Sequence, residues 1–371
     1  MERALARSRD RFPEPRTPNR RKIRLMIVDD STVARAVLSR MVVSDPAFEI
    51  AAVAGTAEDA IEALGECSVD IVVLDLEMPG AGGLKSIPRI IAAAGGAKVM
   101  IVSSLADDGA EQTVAALAQG AADTMPKPGT GRFNGKFSEV LLGKLKALGY
   151  AADPTPAAAD AKNNDGYLYL RATPTDPIDL LAIGASTGGI HALGLLFSTL
   201  PKRIGVPILV TQHLPIPFMS VFARQLGVVA GRETLVAEDG MTLAPDRILV
   251  APGDAHLTLD PVGDGAVVRL TQGRSSSGCM PSVDPMFASV GAIFGTGALG
   301  VILTGMGRDG VEGASRLVAC GGSILAQDEA SCAVWGMPRA VLEAGLASAV
   351  LPPDKIARRI ASRTEEHRPC K

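Results

Sequence analysis

Three side chains in the C-terminal half of the sequence have the types that nucleophilic hydrolysis needs. Ser186 lies in LLAIGASTGGIHAL, residues 180–193, between an apolar run and a helix-like stretch. His213 follows PILVTQ, and Asp309 follows GVILT through the turn GMGR. A hydroxyl becomes a nucleophile when an imidazole takes its proton and a carboxylate orients that imidazole. The same glycines also suit a phosphate loop, in which backbone N–H groups approach an anion, or a plain βα turn. GASTGG alone does not separate these three readings.

The elements that position these residues narrow the choice. A dinucleotide loop needs glycine where Ser186 stands and an acid at the end of the next strand, where this chain has Gln212 and His213. A Walker loop needs lysine after its glycines, and none follows Gly188 or Gly189. Of the four histidines, His367 lies in a charged stretch, His191 opens the helix after the serine, and His256 starts a hairpin strand, which leaves His213 as the base. Asp284 and Asp254 compete with Asp309 for the third place, and Asp309 has the strand-end position. Thr187 and the turn at Met306 are the candidate oxyanion supports. The order Ser, His, Asp matches none of the familiar hydrolase orders.

A second group of polar residues ends the apolar runs of the N-terminal half: Asp29 and Asp30, Asp75, Ser103 and Lys127. Ligands of open α/β sheets collect beyond the carboxyl ends of the strands. Three carboxylates there suit Mg²⁺, which keeps part of its water and binds phosphate oxygens. A lysine and a hydroxyl would contact a phosphoryl group on Asp75.

At 371 residues the chain is long enough for two cores. Apolar runs alternate with helical stretches twice, so the expected fold class is α/β: two doubly wound, mainly parallel-sheet domains, a flavodoxin-like first domain and a Rossmann-like hydrolase domain carrying antiparallel strands at GDAH and PVGDG. The expected boundaries are a basic, disordered arm at 1–22, a first domain at 23–148, a linker at 149–177, a second domain at 178–352 and a charged tail at 353–371. Hydrophobic residues make up 47%, charged residues 21% and aromatics 4%, with net charge −3. That is an ordinary globular composition without stacking platforms or general attraction for nucleic acid. Seven arginines and one lysine in the first 22 residues form a solvated tail. No apolar run reaches the roughly 20 residues of a membrane span. Five cysteines without metal spacing read as free thiols in a reducing, cytoplasmic compartment.

Over residues 23–148, MIVDDS, VVLDLEMPG, MIVSS and PKPG resemble the receiver domains of two-component response regulators. The resemblance implies phosphorylation of Asp75 by a histidine kinase, with Mg²⁺ held by Asp29, Asp30, Asp75 and the carbonyl of Glu77. Ser103 and Lys127 would contact the phosphoryl group. Thr124 stands where many receivers carry an aromatic switch residue. With IGASTGG, QH, APGDAH, PSVDPMF and LTGMGRDG added, the chain resembles the chemotaxis response-regulator protein-glutamate methylesterases, the CheB family. That implies a triad of Ser186, His213 and Asp309, no metal in the second domain, and glutamyl methyl esters of chemotaxis receptors as substrate. It also implies receptor glutamine deamidation. The rival expectations are a receiver-gated binding module without catalysis and a receiver-gated esterase for another substrate.

Overall fold

The computed structural model describes residues 21–78, 83–103, 107–127, 135–150, 170–172, 174–263 and 265–364. The N-terminal arm expected at 1–22 falls almost wholly outside them. So does the linker between 151 and 169.

The first domain is a parallel sheet with strand order β2-β1-β3-β4-β5, built from β1 (Ile23–Val28), β2 (Phe48–Ala54), β3 (Ile71–Leu74), β4 (Lys98–Ser103) and β5 (Asp123–Pro126). Continuous apolar runs such as IVVL suit strands covered on both faces, and all four residues of β3 are buried. Helices α1 (Thr32–Val43) and α5 (Gly135–Gly149) cover one face, through Leu38, Leu141 and Leu145. The other face carries α2 (Ala57–Glu66), α3 (Gly83–Ala93) and α4 (Asp107–Ala118). Ser31 and Thr56 cap α1 and α2 by accepting from Ala34 and Asp59 N–H groups, satisfying donors that the first turn leaves free.

The second domain is a seven-stranded parallel sheet, order β14-β13-β12-β6-β7-β9-β8. Its strands are β6 (Leu180–Ala185), β7 (Ile208–Gln212), β8 (Thr234–Val236), β9 (Ile248–Val250), β12 (Ala298–Ile302), β13 (Ser323–Gln327) and β14 (Ala347–Leu351). A separate antiparallel pair, β10 (His256–Val262) and β11 (Gly265–Thr271), lies on one face with α8 (Val283–Phe294), α9 (Val311–Ala319) and α10 (Met337–Glu343). On the other face are α6 (Gly189–Thr199), α7 (Ile216–Ala230) and α11 (Pro353–Ser362). The chain runs outward from β6 through β7, then returns to lay β12 on the other side of β6. The junction of β6 and β12 is therefore the topological switch point, where such sheets open a crevice.

Three expectations change. GDAH turns no hairpin: it carries the chain from β9, which pairs in parallel with β7 and β8, to the separate β10–β11 pair. Turn-type residues mark a change of direction, and here the chain leaves the sheet. The linker ends before 177, because Arg171 N–H donates to Ala347 O and Asp176 O accepts from Arg363 Nε. The stretch from 353 is no tail up to Ser362. Its polar composition hides an amphipathic helix whose Ile356, Ala357 and Ile360 are fully buried. Ile356→Ala is accordingly expected to destabilise the second domain by about 2–4 kcal/mol, read as a lower urea midpoint.

Candidate active site and receiver centre

Ser186 follows β6 at the switch point, with its N–H donating to Thr304 O (3.0 Å). The glycines around it answer to packing. Gly188 holds φ +78, and a Cβ there would lie 2.5 Å from Ala333 Cβ. At Gly184 a Cβ would lie 2.6 Å from Val283. At Gly305 it would lie 2.7 Å from Ser186 Cβ, which places the Met306 turn directly beside the serine. The N–H of Gly305 is committed to Val334 O, whereas the N–H groups of Thr187 and Met306 have no hydrogen-bond partner among the described residues. Two unspent donors flanking a hydroxyl are what an oxyanion requires.

His213 follows β7, and its Nε2 donates to Asp309 Oδ2 at 2.8 Å. That leaves Nδ1 as the ring nitrogen not engaged by Asp309. Asp309 is 1% exposed and is held on every side: Ser282 Oγ donates to Oδ1 (2.6 Å) and Val283 N–H to Oδ2 (2.8 Å). His256 supports this from behind. Its Nδ1 accepts from Ser282 N–H and its Nε2 donates to Gly273 O, so the orientation of the ring is set by its partners. Asp284 accepts from Gly313 N–H and Asp254 is exposed; neither touches His213.

Burial favours the neutral form of both partners of the pair. For His213 the hydrogen bond to Asp309, the nearby Cys279 sulfur and the Asp309 charge outweigh burial and push the imidazole up to about 9. For Asp309 burial acts upward, but His213, Ser282 and Val283 hold the carboxyl well below the ordinary range. The hydrogen bond between them thus favours an imidazolium and a carboxylate over the neutral pair.

Sequence reasoning missed the scaffold of this site. Gln212 Nε2 donates to Ser186 O (2.9 Å), and Thr304 Oγ1 donates to Thr187 O (2.9 Å) and accepts from Val334 N–H. The PSVDP run holds both Ser282, which binds Asp309, and Asp284, which does not reach His213 by a hydrogen bond.

In the first domain Asp29, Asp30 and Asp75 bring one carboxylate oxygen each within 4.8 Å of one another. Lys127 Nζ lies 2.9 Å from Asp29 Oδ2 and 2.7 Å from Asp75 Oδ2. Burial raises Asp75 against the lowering effect of Lys127, and the two carboxylates raise Lys127 against burial. Glu77 lies at the same edge, its N–H donating to Asp75 Oδ1. Ser103, expected to contact a phosphoryl group, has another partner here. Its Oγ is hydrogen-bonded to Thr113 Oγ1 of α4 at 2.7 Å, both residues being fully buried.

The two sites lie at opposite ends of β5. Lys127 follows its C-terminal end, and Ala122 and Asp123 at its N-terminal end press on the serine turn. Gly188 N–H donates to Ala122 O (2.6 Å), and Thr187 Oγ1 to Asp123 Oδ2 (2.7 Å), which also pairs with Lys144. Further contacts join His191 Nδ1 to Ala118 O and Arg224 to Glu111. The cavity left among Asp123, Thr124, Ser186, Thr187 and His213 has about 10 Å³. That admits at most about one water molecule and no glutamyl side chain. Ser186 and His213 both line it, and no hydrogen bond joins them here.

Residues 181–360 match the model of the CheB methylesterase family, and residues 25–132 match that of the response regulator receiver domain. A protein-glutamate methylesterase/protein-glutamine glutaminase from Paramagnetospirillum magneticum is 37% identical over 369 residues, covering 93% of this chain and 96% of its own. The chain belongs to the CheB family. A protein of the same description from Caulobacter vibrioides is 40% identical, covering 92% of this chain and 99% of its own. The CheB methylesterase catalytic domain of Thermotoga maritima is 35% identical, with TM-score 0.48, over 50% of this chain and 97% of its own. Among the described residues of this CheB-family chain, no helix is long and apolar enough to cross a membrane.

Proposed function

We propose that the protein hydrolyses glutamate γ-methyl esters on chemotaxis receptors, with Ser186 as nucleophile, Nδ1 of His213 as base and Asp309 as its orienter. The observation that carries this reading is the His213–Asp309 pair at the switch point beside a serine flanked by two free N–H donors. Proton transfer to His213 accompanies attack of Ser186 on the ester carbonyl. The N–H groups of Thr187 and Met306 take the developing oxyanion, and methanol leaves with the proton from His213. Water then attacks the acyl-enzyme, its proton passing to the same imidazole, and glutamate is restored. A receptor glutamine follows the same path with ammonia leaving. The test is methanol release from methylated receptor fragments, with and without a small-molecule phosphodonor; no release under either condition overturns the assignment.

The receiver site fits a hard, oxygen-binding dication, since Asp29, Asp30 and Asp75 offer converging carboxylates and Glu77 lies beside them. Mg²⁺ held there would neutralise charge on the phosphodonor and on phospho-Asp75. The donor in the cell is a chemotaxis histidine kinase. Lys127 leaves the carboxylate pair to meet the phosphoryl oxygens, and Ser103 turns from Thr113 toward them. Thr113 sits on α4, which also carries Glu111 and Ala118 to the interface, so this turn loosens the contact over Ser186.

Thr113→Val tests the relay. It removes the hydroxyl that holds Ser103 in the resting position, a bond of about 1 kcal/mol. Methanol release without phosphodonor is expected to rise about fivefold, and an unchanged rate would take α4 out of the relay.

The His213 pair also sets a pH dependence. An imidazolium accepts no proton, so the base is active only after that proton is lost. Below pH 9 the unphosphorylated enzyme is expected to gain about tenfold in kcat/KM per pH unit, levelling above it. A profile flat between pH 6 and 8 contradicts this.

A further inference from the structure

Cys279 is the one reactive group at the site that the hydrolytic mechanism leaves without a task. One ring nitrogen of His213, the sulfur of Cys279 and one carboxylate oxygen of Asp309 lie within 4.8 Å of one another. The three come from separate segments: His213 from the end of β7, Cys279 from the loop before α8, Asp309 from the turn after β12. We propose that these three side chains form a binding site for a thiophilic divalent cation of the zinc class, and that an ion held there switches the hydrolase off by taking up its base.

The donor set selects the ion. Imidazole with thiolate suits zinc and its softer relatives, whereas the carboxylate cluster around Asp75 suits Mg²⁺. Zinc bonds of about 2.0–2.3 Å place tetrahedral neighbours roughly 3.3–3.7 Å apart. The present spacings reach that geometry by side-chain shifts on the order of 1 Å. Cys279 is placed to make them, because residues 276–278 and Met280 around it are exposed and Gly278 holds φ +72. Asp309 is oriented by Ser282 and Val283, the kind of outer support that metal-binding carboxylates use. A thiolate and a carboxylate neutralise a dication. Three protein donors leave the fourth position to water.

No new covalent chemistry is involved. The ion displaces the proton shared by His213 and Asp309 and the proton of the thiol, and both pass to solvent. The imidazole that should receive the Ser186 proton is then a ligand with its orienting partner gone.

The inhibitory half of the proposal rests on the hydrolase reading; the binding half does not. The full-length chain in excess Mg²⁺ is titrated with Co²⁺, whose thiolate complexes show a near-ultraviolet charge-transfer band. The wild type and Ser186→Ala are expected to develop the band at one equivalent, and Cys279→Ser and Cys279→Ala to lack it. Absence of the band in wild type, or its persistence in both cysteine variants, overturns the site. Zn²⁺ is then added to methanol-release assays, each variant compared with its own metal-free rate. A fall of at least tenfold in wild type, and less than twofold in the Cys279 variants, supports inhibition; equal falls refute it. If no variant releases methanol while the cobalt band behaves as expected, the hydrolase reading has failed and the metal site stands.

Discussion

Ser186→Ala is expected to lower methanol release from methylated receptors by about 10⁴-fold or more while leaving receptor binding intact. The serine side chain makes no hydrogen bond among the described residues and alanine keeps its β-carbon, so the turn is preserved. Unfolding midpoints of the two proteins should therefore coincide. His213→Ala should fall comparably, and the double variant no further, because members of one proton-transfer unit do not contribute additively. Asp309→Asn is the safer test of the third member. Truncation would strand the Ser282 hydroxyl and Val283 N–H in a buried site, whereas asparagine keeps an oxygen for them and loses the charge. Normal ester hydrolysis by Ser186→Ala would remove the assignment altogether.

Detaching the receiver should raise the basal rate on the order of 10–100-fold. The contacts over Ser186 combine hydrogen bonds at Gly188, Thr187, His191 and Gln225 and an exposed ion pair at Arg224 with apolar packing of α4 against α6 and α7 and of Val334 against the first domain's core. Between separate molecules such an interface forms only at concentrations above its dissociation constant. Tethering supplies a local concentration of order mM, so an intrinsic affinity of about 10 µM keeps all but about 1% of molecules closed. A fragment beginning at Leu170 loses that advantage and keeps the Arg171 and Asp176 contacts that belong to the catalytic domain. Its methanol release is compared with that of the unphosphorylated whole. A rate equal to or below the whole chain's would mean that the receiver activates by some means other than uncovering the serine. Within the whole chain, Asp123→Ala should give a smaller increase in the same direction.

The strand-end residues were legible because period and position carry them. A buried parallel strand is a continuous apolar run, and the polar residue that ends it must face the crevice. That logic found Ser186, His213 and Asp309, and on the other sheet Asp29, Asp75 and Lys127. It gave no hint of the Ser103–Thr113 hydrogen bond, since the rotamer of a strand-end hydroxyl depends on the partner α4 offers, and Thr113 lies ten residues on with no local signal. It also missed α11, because charged residues spaced between Ile356 and Ile360 look like a solvated stretch until α6 is there to receive the apolar side. The scaffold around Asp309 was invisible for a different reason. His256, Ser282 and Asp309 are joined only through tertiary packing, and their spacing in the chain records none of it.

Asp123 and Lys127 bracket one short strand, β5, with the seal over Ser186 at one end and the Asp29–Asp75 carboxylate cluster at the other. Equilibrium coupling through such an element runs both ways. If phosphorylation opens the serine by some factor, a ligand bound at the serine favours the phosphorylated receiver by that same factor. A receptor still rich in methyl groups would then favour the active state of the enzyme that removes them, and a demethylated one would not. The population of that state would thereby be tied to the amount of work remaining, through the geometry of four residues.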